Sequence, residues 1–200
     1  MYHDNYFEDN DNGHRKGNRE RLDMILNNVS MCDSVLDIGC ADGYFSFGLA
    51  DAEIATMIHG IDTSKDSVEN CRKIMEENSE KIKKPCHVFF SCGNVKDFLD
   101  FKADLTIYMS VHHHLIEQLG WNEAKEVLCE ISDNCETMIF DMGQKNEHGC
   151  TKYGWWNALP SGFSNEEAIM TYLKANTNKE WKCIGSTVVH GVDRFLFRGE

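Results

Sequence analysis

Proline and long apolar runs are scarce in this chain. Among its 200 residues there are two prolines, Pro85 and Pro160, and no linker rich in proline or in glycine and serine separates two parts of it. No apolar run approaches the roughly 18 residues that a membrane-spanning helix needs, so we expect no membrane span. The length suits one substantial core rather than two domains.

Basic side chains are outnumbered, with 20 Lys and Arg against 33 Asp and Glu and a formal net charge of -13. Such a charge repels phosphate backbones, so a nucleic-acid partner is disfavoured unless a local basic patch offsets it. Two segments, residues 14–21 and 81–84, are basic. Charge runs of this kind are usually solvated helix ends.

Paired cysteine motifs are also missing. The nine cysteines are an odd number and include no C-x-x-C pair, which predicts reduced thiols and a cytoplasmic protein. Zinc is usually held by clustered ligand pairs, so we expect no metal site. The polar, acidic N-terminus is unlike a signal peptide.

Segments with the periodicity of strands and helices alternate along most of the chain. The predicted strands are 34–38, 55–61, 86–91, 103–109, 137–142, 182–190 and 194–198, and the predicted helices are 18–29, 44–50, 64–81, 122–134 and 164–176. The last helix begins with a capping-box pattern, Ser164-x-x-Glu167. Residues 1–17 are predicted to be a flexible arm or lid that precedes a single domain, 18–200.

This alternation predicts an α/β fold with a mostly parallel sheet, helices on both faces and an antiparallel hairpin formed by the last two strands. In such sheets ligands bind beyond the carboxyl ends of the strands. The residues that follow each predicted strand are therefore the candidates for a functional site.

The first of these candidate segments is residues 35–43 (VLDIGCADG), an apolar strand followed by a tight turn and a helix. Gly39 and Gly43 allow the backbone to approach a ligand closely. The carboxylate of Asp37 disfavours a phosphate and favours a cationic or hydroxyl-bearing ligand. The D-x-G-C-x-x-G pattern resembles motif I of class I S-adenosylmethionine (SAM)-dependent methyltransferases, with Ala41 at the place of a middle glycine.

Two later turns extend this resemblance. Asp62 ends the second strand, where a carboxylate can accept both hydroxyls of a ribose; the alternative is a helix N-cap, for which Ser64 is the better candidate. Asn94 follows Gly93 after the third strand, where the resembling family often has an Asp that contacts the adenine amino group. Its alternative is an ordinary turn asparagine.

The resemblance implies a seven-stranded Rossmann-like methyltransferase fold and SAM as the cofactor. It also implies the residues that contact this cofactor. They are Asp37, Gly39, Cys40, Ala41, Gly43, Phe45, Asp62, Thr63, Asn94, Val95, Met109 and Ser110.

Three consecutive histidines follow the fourth strand in residues 110–115 (SVHHHL), a stretch that resembles one seen in many small-molecule methyltransferases. His112, His113 and His114 are candidates for a general base, because the pKa of histidine lies near neutrality. Adjacent helical residues point about 100° apart, so the three cannot converge on one metal ion unaided. The remaining alternative is that they pack or shape the pocket without chemistry.

Aromatic side chains follow the fifth strand, and others lie in the N-terminal arm. We predict that both segments close over the substrate as a two-part lid, with a hydrophobic plug as the alternative for the later one. The substrate candidates are Tyr6, His14, Arg15, Tyr153, Trp155 and Trp156. The layout around the later aromatics resembles methyltransferase domains associated with sugar and polysaccharide modification.

These patterns predict methyl transfer to an oxygen or nitrogen of a small molecule or glycan-type acceptor. An RNA-modifying methyltransferase and a catalytically inactive SAM-binding partner subunit are the alternatives. An NAD-dependent oxidoreductase would need a G-x-G-x-x-G turn, which the segment around Gly39 does not have.

Overall fold

The computed structural model describes residues 14–77 and 86–200, with side chains from residue 17 onward. Tyr6 and most of the predicted arm lie outside the described residues. The strands are β1 (Cys32–Ile38), β2 (Ala55–Asp62), β3 (His87–Cys92), β4 (Ala103–Met109), β5 (Cys135–Asp141), β6 (Trp181–Val189) and β7 (Val192–Gly199). The helices are α1 (His14–Leu26), α2 (Tyr44–Asp51), α3 (Lys65–Glu77), α4 (His112–Leu119), α5 (Trp121–Asp133), α6 (Gly154–Ala158) and α7 (Glu166–Asn176), with 3-10 turns at Val95–Phe98 and Cys150–Lys152.

One seven-stranded sheet carries the strands in the order β3-β2-β1-β4-β5-β7-β6. The first five strands along the chain pair in parallel, and β7 runs antiparallel to both β5 and β6. The predicted fold class is thereby confirmed, including the antiparallel C-terminal hairpin. The strand order reverses between β1 and β4, and this reversal opens a crevice at their carboxyl ends.

Two apolar cores cover the two faces of the sheet, because consecutive strand residues point to opposite sides. In β4, Leu105 and Ile107 belong to the core that contains residues of α1, α2 and α3. Tyr108, between Ile107 and the strand end, belongs to the other core, with residues of α4, α5 and α7. Burying each large apolar side chain contributes about 1.5–3 kcal/mol, so both helix layers are held firmly on the sheet.

Two predicted helix starts differ from the structure by two residues or more. The first helix begins at His14, inside the predicted arm. The capping-box prediction at Ser164 is wrong: the N-cap of α7 is Asn165, whose side chain accepts a hydrogen bond from the backbone of Ala168 at 2.9 Å. Ser and Asn suit an N-cap equally well, and here it is the extended backbone of Asn165 that brings the oxygen to the third helical N–H.

All nine cysteines are free thiols in the structure. None of the described helices combines the length and the apolar character that crossing a bilayer requires.

Candidate active site

Three cavities adjoin one another: two lie at the carboxyl ends of β1, β2 and β4, and the third lies between the residue that follows β4 and the turn that joins β6 to β7. Cavity A (about 390 Å³) is lined by Gly39, Ala41, Asp62, Thr63, Asn94, Val95, Met109 and Ser110, together with Ile38, Ile61, Gly93, Val111, His114, Leu115 and Gln118. Cavity B (about 220 Å³) shares part of this wall and adds Asp37, Cys40, Asp42, Tyr44, Phe45, Asn18 and Arg21. Cavity C (about 420 Å³) is lined by Gly17, Arg21, Ser110, Val188, Val189, His190, Gly191 and Arg194.

The cavities adjoin one another at shared residues. Ser110 lines all three, and Arg21 lines both cavity B and cavity C. Every predicted cofactor residue except Gly43 lines cavity A or cavity B. The turn residues from three separate predicted motifs are therefore brought together, as the topology of a parallel sheet implies.

The turn between β1 and α2 depends on two glycines in the left-handed region. Gly39 has φ +72°, and a Cβ there would lie 2.3 Å from Val111 Cγ2. Gly43 has φ +77°, and a Cβ there would lie 2.7 Å from the ring of Phe47. Gly43 thus shapes the turn without lining a cavity, and a side chain at either position would displace this wall.

Asp62 fastens this turn to the end of β2. One carboxylate oxygen accepts the backbone N–H of Ala41 at 2.9 Å, and the other accepts that of Ser64 at 2.8 Å. Ala41 is itself in the left-handed region, with φ 46°, so this hydrogen bond holds a conformation that an L-residue adopts at a cost. The Ser64 hydroxyl accepts the N–H of Ser67 at 3.2 Å, so Ser64 caps α3 while Asp62 lines cavity A.

A second carboxylate, Asp37, is buried beneath cavity B. It accepts a hydrogen bond from the Ser46 hydroxyl at 2.6 Å. Burial raises the pKa of Asp37 to about 6, although the bond from Ser46 lowers it in part. A cationic ligand group in cavity B would favour the charged carboxylate and return its pKa towards the usual range.

Asn94 has a structural role next to cavity A. Its side-chain oxygen accepts the N–H of Lys96 at 3.0 Å, and Asp97 accepts the N–H of Asn94 at 2.9 Å, which completes a capping box on the 3-10 turn. Asn94 also lines cavity A, between Gly93 and Val95.

The histidines after β4 occupy three different environments. His112 is fully buried, and its two ring nitrogens are hydrogen-bonded to the hydroxyls of Tyr108 (3.2 Å) and Tyr172 (2.7 Å). Burial lowers the pKa of His112 to about 3. His112 therefore links α4 to β4 and α7 and does not line any of the three cavities.

His113 is also buried, and its Nδ1 accepts the backbone N–H of Gly143 at 2.9 Å. In the neutral ring the proton must then be on Nε2, which leaves neither nitrogen free to accept a proton. Burial is the main reason why the pKa of His113 lies well below its usual range, and the nearby His114 and Arg194 lower it further. The ring packs edge-on against Trp155, with 4.6 Å between the centroids.

His114 is the member of the triplet that lines a cavity, namely cavity A. Its Nδ1 is 3.9 Å from a carboxylate oxygen of Glu117, and its side chain is about half exposed. Burial lowers the pKa of His114, against the opposing effect of Glu117. The general-base prediction therefore rests on His114 alone.

Acidification is expected to destabilise the fold through these buried histidines. In the unfolded chain His112 becomes protonated below its ordinary pKa of 6.5, whereas in the folded protein it stays neutral down to about pH 3. Stability is thus lost as pH falls through that window, by about 1.4 kcal/mol per pH unit for each such group. Asp37 has a raised pKa of about 6, so its protonation stabilises the folded state between pH 6 and its ordinary pKa of 3.8 and opposes this loss. The lowered pKa of His113 adds to the effect of His112.

Urea unfolding at about pH 7, 6 and 5 measures this effect. His112→Gln should reduce the slope of unfolding free energy against pH by up to about 1.4 kcal/mol per unit. His87, exposed on β3, provides the matched control His87→Gln. An unchanged slope in His112→Gln would contradict the interpretation.

A buried charge network surrounds Ser110. Arg21 Nη1 donates to Asp141 at 2.7 Å, and the other oxygen of Asp141 accepts the N–H (2.7 Å) and hydroxyl (3.1 Å) of Ser110. Arg194 donates to the Ser110 hydroxyl at 3.0 Å and to both oxygens of Glu147 at 2.6 and 2.7 Å. Ser110 itself has φ 59°. The network holds this strained residue where the three cavities meet.

This network could not be assigned to the site from the sequence, because its members are far apart in the chain. One signal was present. Asp141 ends β5 as Asp62 ends β2, so an acidic residue at a buried strand end marks the same edge of the sheet.

The aromatic substrate candidates that the structure describes lie outside the cavity linings. Trp155 is buried against His113, and the Trp156 ring N–H donates to the backbone of Lys145 at 2.8 Å. Tyr153 is 41% exposed and stacks 6.3 Å from Trp155. The two basic substrate candidates, His14 and Arg15, have side chains that lie outside the described part of the structure.

The strand order, the glycine turn and the paired carboxylates of Asp37 and Asp62 define a class I, Rossmann-like SAM-dependent methyltransferase. A family model described as a methyltransferase domain matches residues 32–138, more than half of the chain. The chain therefore belongs to this methyltransferase family, and its cofactor is SAM, as predicted.

Two known proteins show the range of its similarities in sequence. The O-antigen chain terminator bifunctional methyltransferase/kinase WbdD of Escherichia coli is 32% identical over 139 residues, which are 64% of this chain and 19% of WbdD. The small RNA 2'-O-methyltransferase of Schizosaccharomyces pombe is 27% identical over 57% of this chain and 34% of its own length. The chain thus spans about a fifth to a third of these relatives.

Solved structures agree on the fold. A WbdD structure superposes with a TM-score of 0.73 at 27% identity, covering 90% of this chain and 35% of that one. Magnesium protoporphyrin IX methyltransferase from Synechocystis, solved with bound SAM, gives 0.63 at 17% identity over 92% of this chain and 80% of its own.

Proposed function

We propose that this enzyme transfers the methyl group of SAM to an oxygen or nitrogen of a glycan-type or small-molecule acceptor that enters through cavity C. The observation that carries the proposal is that cavity C meets cavity B at Ser110 and Arg21. An acceptor there would lie next to the part of the cofactor that occupies cavity B. The methyl group of SAM is already activated for transfer by the positively charged sulfur to which it is bonded.

The residues of cavities A and B fit SAM. Asp37 offers a carboxylate to a cationic amino group in cavity B, and Asp62 offers acceptors to ribose hydroxyls in cavity A. The apolar side chains of Ile38, Val95 and Leu115 suit a flat base. The protein's main task is then to align the reactants and exclude water.

The chemistry of cavity C supports an oxygen-rich acceptor. Arg21 and Arg194 line it with guanidinium groups, and each is held in place by a buried carboxylate. Guanidinium N–H groups bind sugar hydroxyls or anionic oxygens well. The O-antigen named for WbdD is a glycan, which adds support for this acceptor class.

The acceptor class can be tested by incubating the full chain with methyl-labelled SAM and three panels: oligosaccharides with and without a terminal anionic group, small hydroxyl- or amine-bearing metabolites, and RNA. We expect transfer to a glycan or small molecule, and no transfer by Asp62→Ala. Labelling of RNA alone would overturn the proposal in favour of the RNA-modifying alternative. Tight SAM binding without transfer to any panel would favour the inactive-subunit alternative.

We also propose that His114 shapes the nucleoside end of the site instead of acting as a base, because it lines cavity A and not cavity C. His114→Asn is expected to raise the KM for SAM by up to about 10-fold, the value of one hydrogen bond, and to leave kcat within about threefold. Steady-state kinetics as a function of pH measure both. A kcat loss of about 100-fold with an altered pH profile would instead establish a general base.

A further inference from the structure

A cluster of metal-ligating side chains lies beside the acceptor cavity. Glu147, Cys150 and His190 place one candidate ligand atom each within 4.8 Å of one another, and this is the one such group of three found among residues 14–77 and 86–200. Glu147 and Cys150 are buried, and His190 is exposed and lines cavity C. The cluster therefore connects the interior with the place where we expect the acceptor.

Rigid local structure holds the three side chains together. Gly149, with φ +72°, starts the 3-10 turn that returns Cys150 towards Glu147, so that the Cys150 Sγ is 3.8 Å from Glu147 Oε2. His190 is at the turn between β6 and β7, where its φ is 47°. The backbone N–H of His148 donates to the His190 carbonyl at 2.9 Å, which fastens the hairpin turn to the loop that carries Glu147.

We propose that Glu147, Cys150 and His190 form a binding site for a divalent transition metal, with zinc as the ion that suits these ligands best. A thiolate, an imidazole and a carboxylate are the usual zinc ligands, whereas calcium and magnesium prefer oxygen alone. Three protein ligands leave the fourth tetrahedral position for a water or an acceptor oxygen. Binding releases the Cys150 thiol proton to solvent as the sulfur–metal bond forms.

The surrounding hydrogen bonds are compatible with an ion at this place. Arg194 donates to Glu147 Oε1 through Nε at 2.9 Å and Nη2 at 2.6 Å, and to Oε2 through Nη2 at 2.7 Å. The Gln144 N–H donates to Oε1 at 2.9 Å. These bonds would orient the carboxylate, and the second lone pair of Oε2 would bind the metal.

Metal binding can be measured independently of methyl transfer. The full chain is stripped with a chelator, dialysed and titrated with Zn²⁺ by calorimetry, and a parallel sample is loaded with Co²⁺ for absorption spectroscopy. We expect one Zn²⁺ per chain and, with Co²⁺, a sulfur-to-metal charge-transfer band together with tetrahedral visible bands. Cys150→Ser should abolish the charge-transfer band. Loss of a group that only orients a ligand weakens metal binding by roughly 10- to 100-fold. Cys150→Ser and His190→Asn each remove a ligand, so each should weaken zinc binding by more than this.

Matched controls separate this site from general thiol or histidine binding. Cys135→Ser removes another buried thiol, and His87→Asn removes another exposed histidine; both should bind zinc as the unchanged chain does. Circular dichroism confirms that each variant is folded. If Glu147→Gln is folded, it should weaken binding as well. Absence of zinc binding, zinc binding that survives Cys150→Ser, or a cobalt spectrum without the sulfur band would each overturn the proposal.

Discussion

Replacing Asp62 by alanine is expected to weaken SAM binding by about 100- to 10,000-fold. The carboxylate has two functions that fail together: it holds the Ala41 backbone at 2.9 Å, and we propose that it accepts the ribose hydroxyls. Each charge-assisted hydrogen bond contributes about 1.5–3 kcal/mol, and about 1.4 kcal/mol changes a dissociation constant tenfold. Calorimetric titration with SAM and S-adenosylhomocysteine measures the loss.

Two further variants distinguish the binding role of Asp62 from a general effect on the fold. Asp62→Asn keeps one acceptor oxygen, so it should retain an intermediate affinity. Asp66→Ala removes an exposed carboxylate from the first turn of α3 and should leave the affinity within about twofold. An Asp62→Ala protein that is folded and binds SAM within about threefold of the unchanged chain would refute the assignment.

Glu147→Gln is expected to lower the free energy of unfolding by about 3–5 kcal/mol, because it leaves the buried Arg194 without its counter-charge. For a chain of this size the thermal midpoint should fall by roughly 10 °C. Differential scanning calorimetry in the presence of a chelator measures this loss without any contribution from bound metal.

The control for this prediction is an exposed ion pair between a glutamate and a lysine. Glu77 is 3.7 Å from Lys73 on α3, and both side chains are more than half exposed. Glu77→Gln should therefore change stability by less than about 0.5 kcal/mol. Replacing both partners of the buried pair, as in Glu147→Leu with Arg194→Met, should recover part of the loss; a double variant as unstable as Glu147→Gln would argue against an uncompensated charge as the cause.

The sheet could be predicted from local patterns because buried strands and the turns after them carry strong signals. The apolar run of β4 predicts its bounds, Ala103–Met109, correctly. The D-x-G-C-x-x-G turn and the later Asp62 identify two walls of cavities A and B. These signals are local, and the parallel topology then determines where they meet.

The charge network and the histidine environments could not be predicted in this way. Arg21 and Asp141 are joined across 120 residues, and a single sequence contains no pattern that pairs them. Likewise, the triplet of histidines gives no indication that His112 contacts Tyr172 from α7 while His114 lines the cavity. Long-range packing decides which member of such a run faces the ligand.

The pairing of Arg194 with Glu147 has a consequence for how sequences of this kind can diverge. A single replacement of either residue passes through an intermediate with an unpaired buried charge, which costs several kcal/mol of a total that is seldom above 15. Descendants that keep the fold should therefore retain both charges or have lost both. In a set of homologous sequences, positions 147 and 194 should change together, and so should positions 21 and 141.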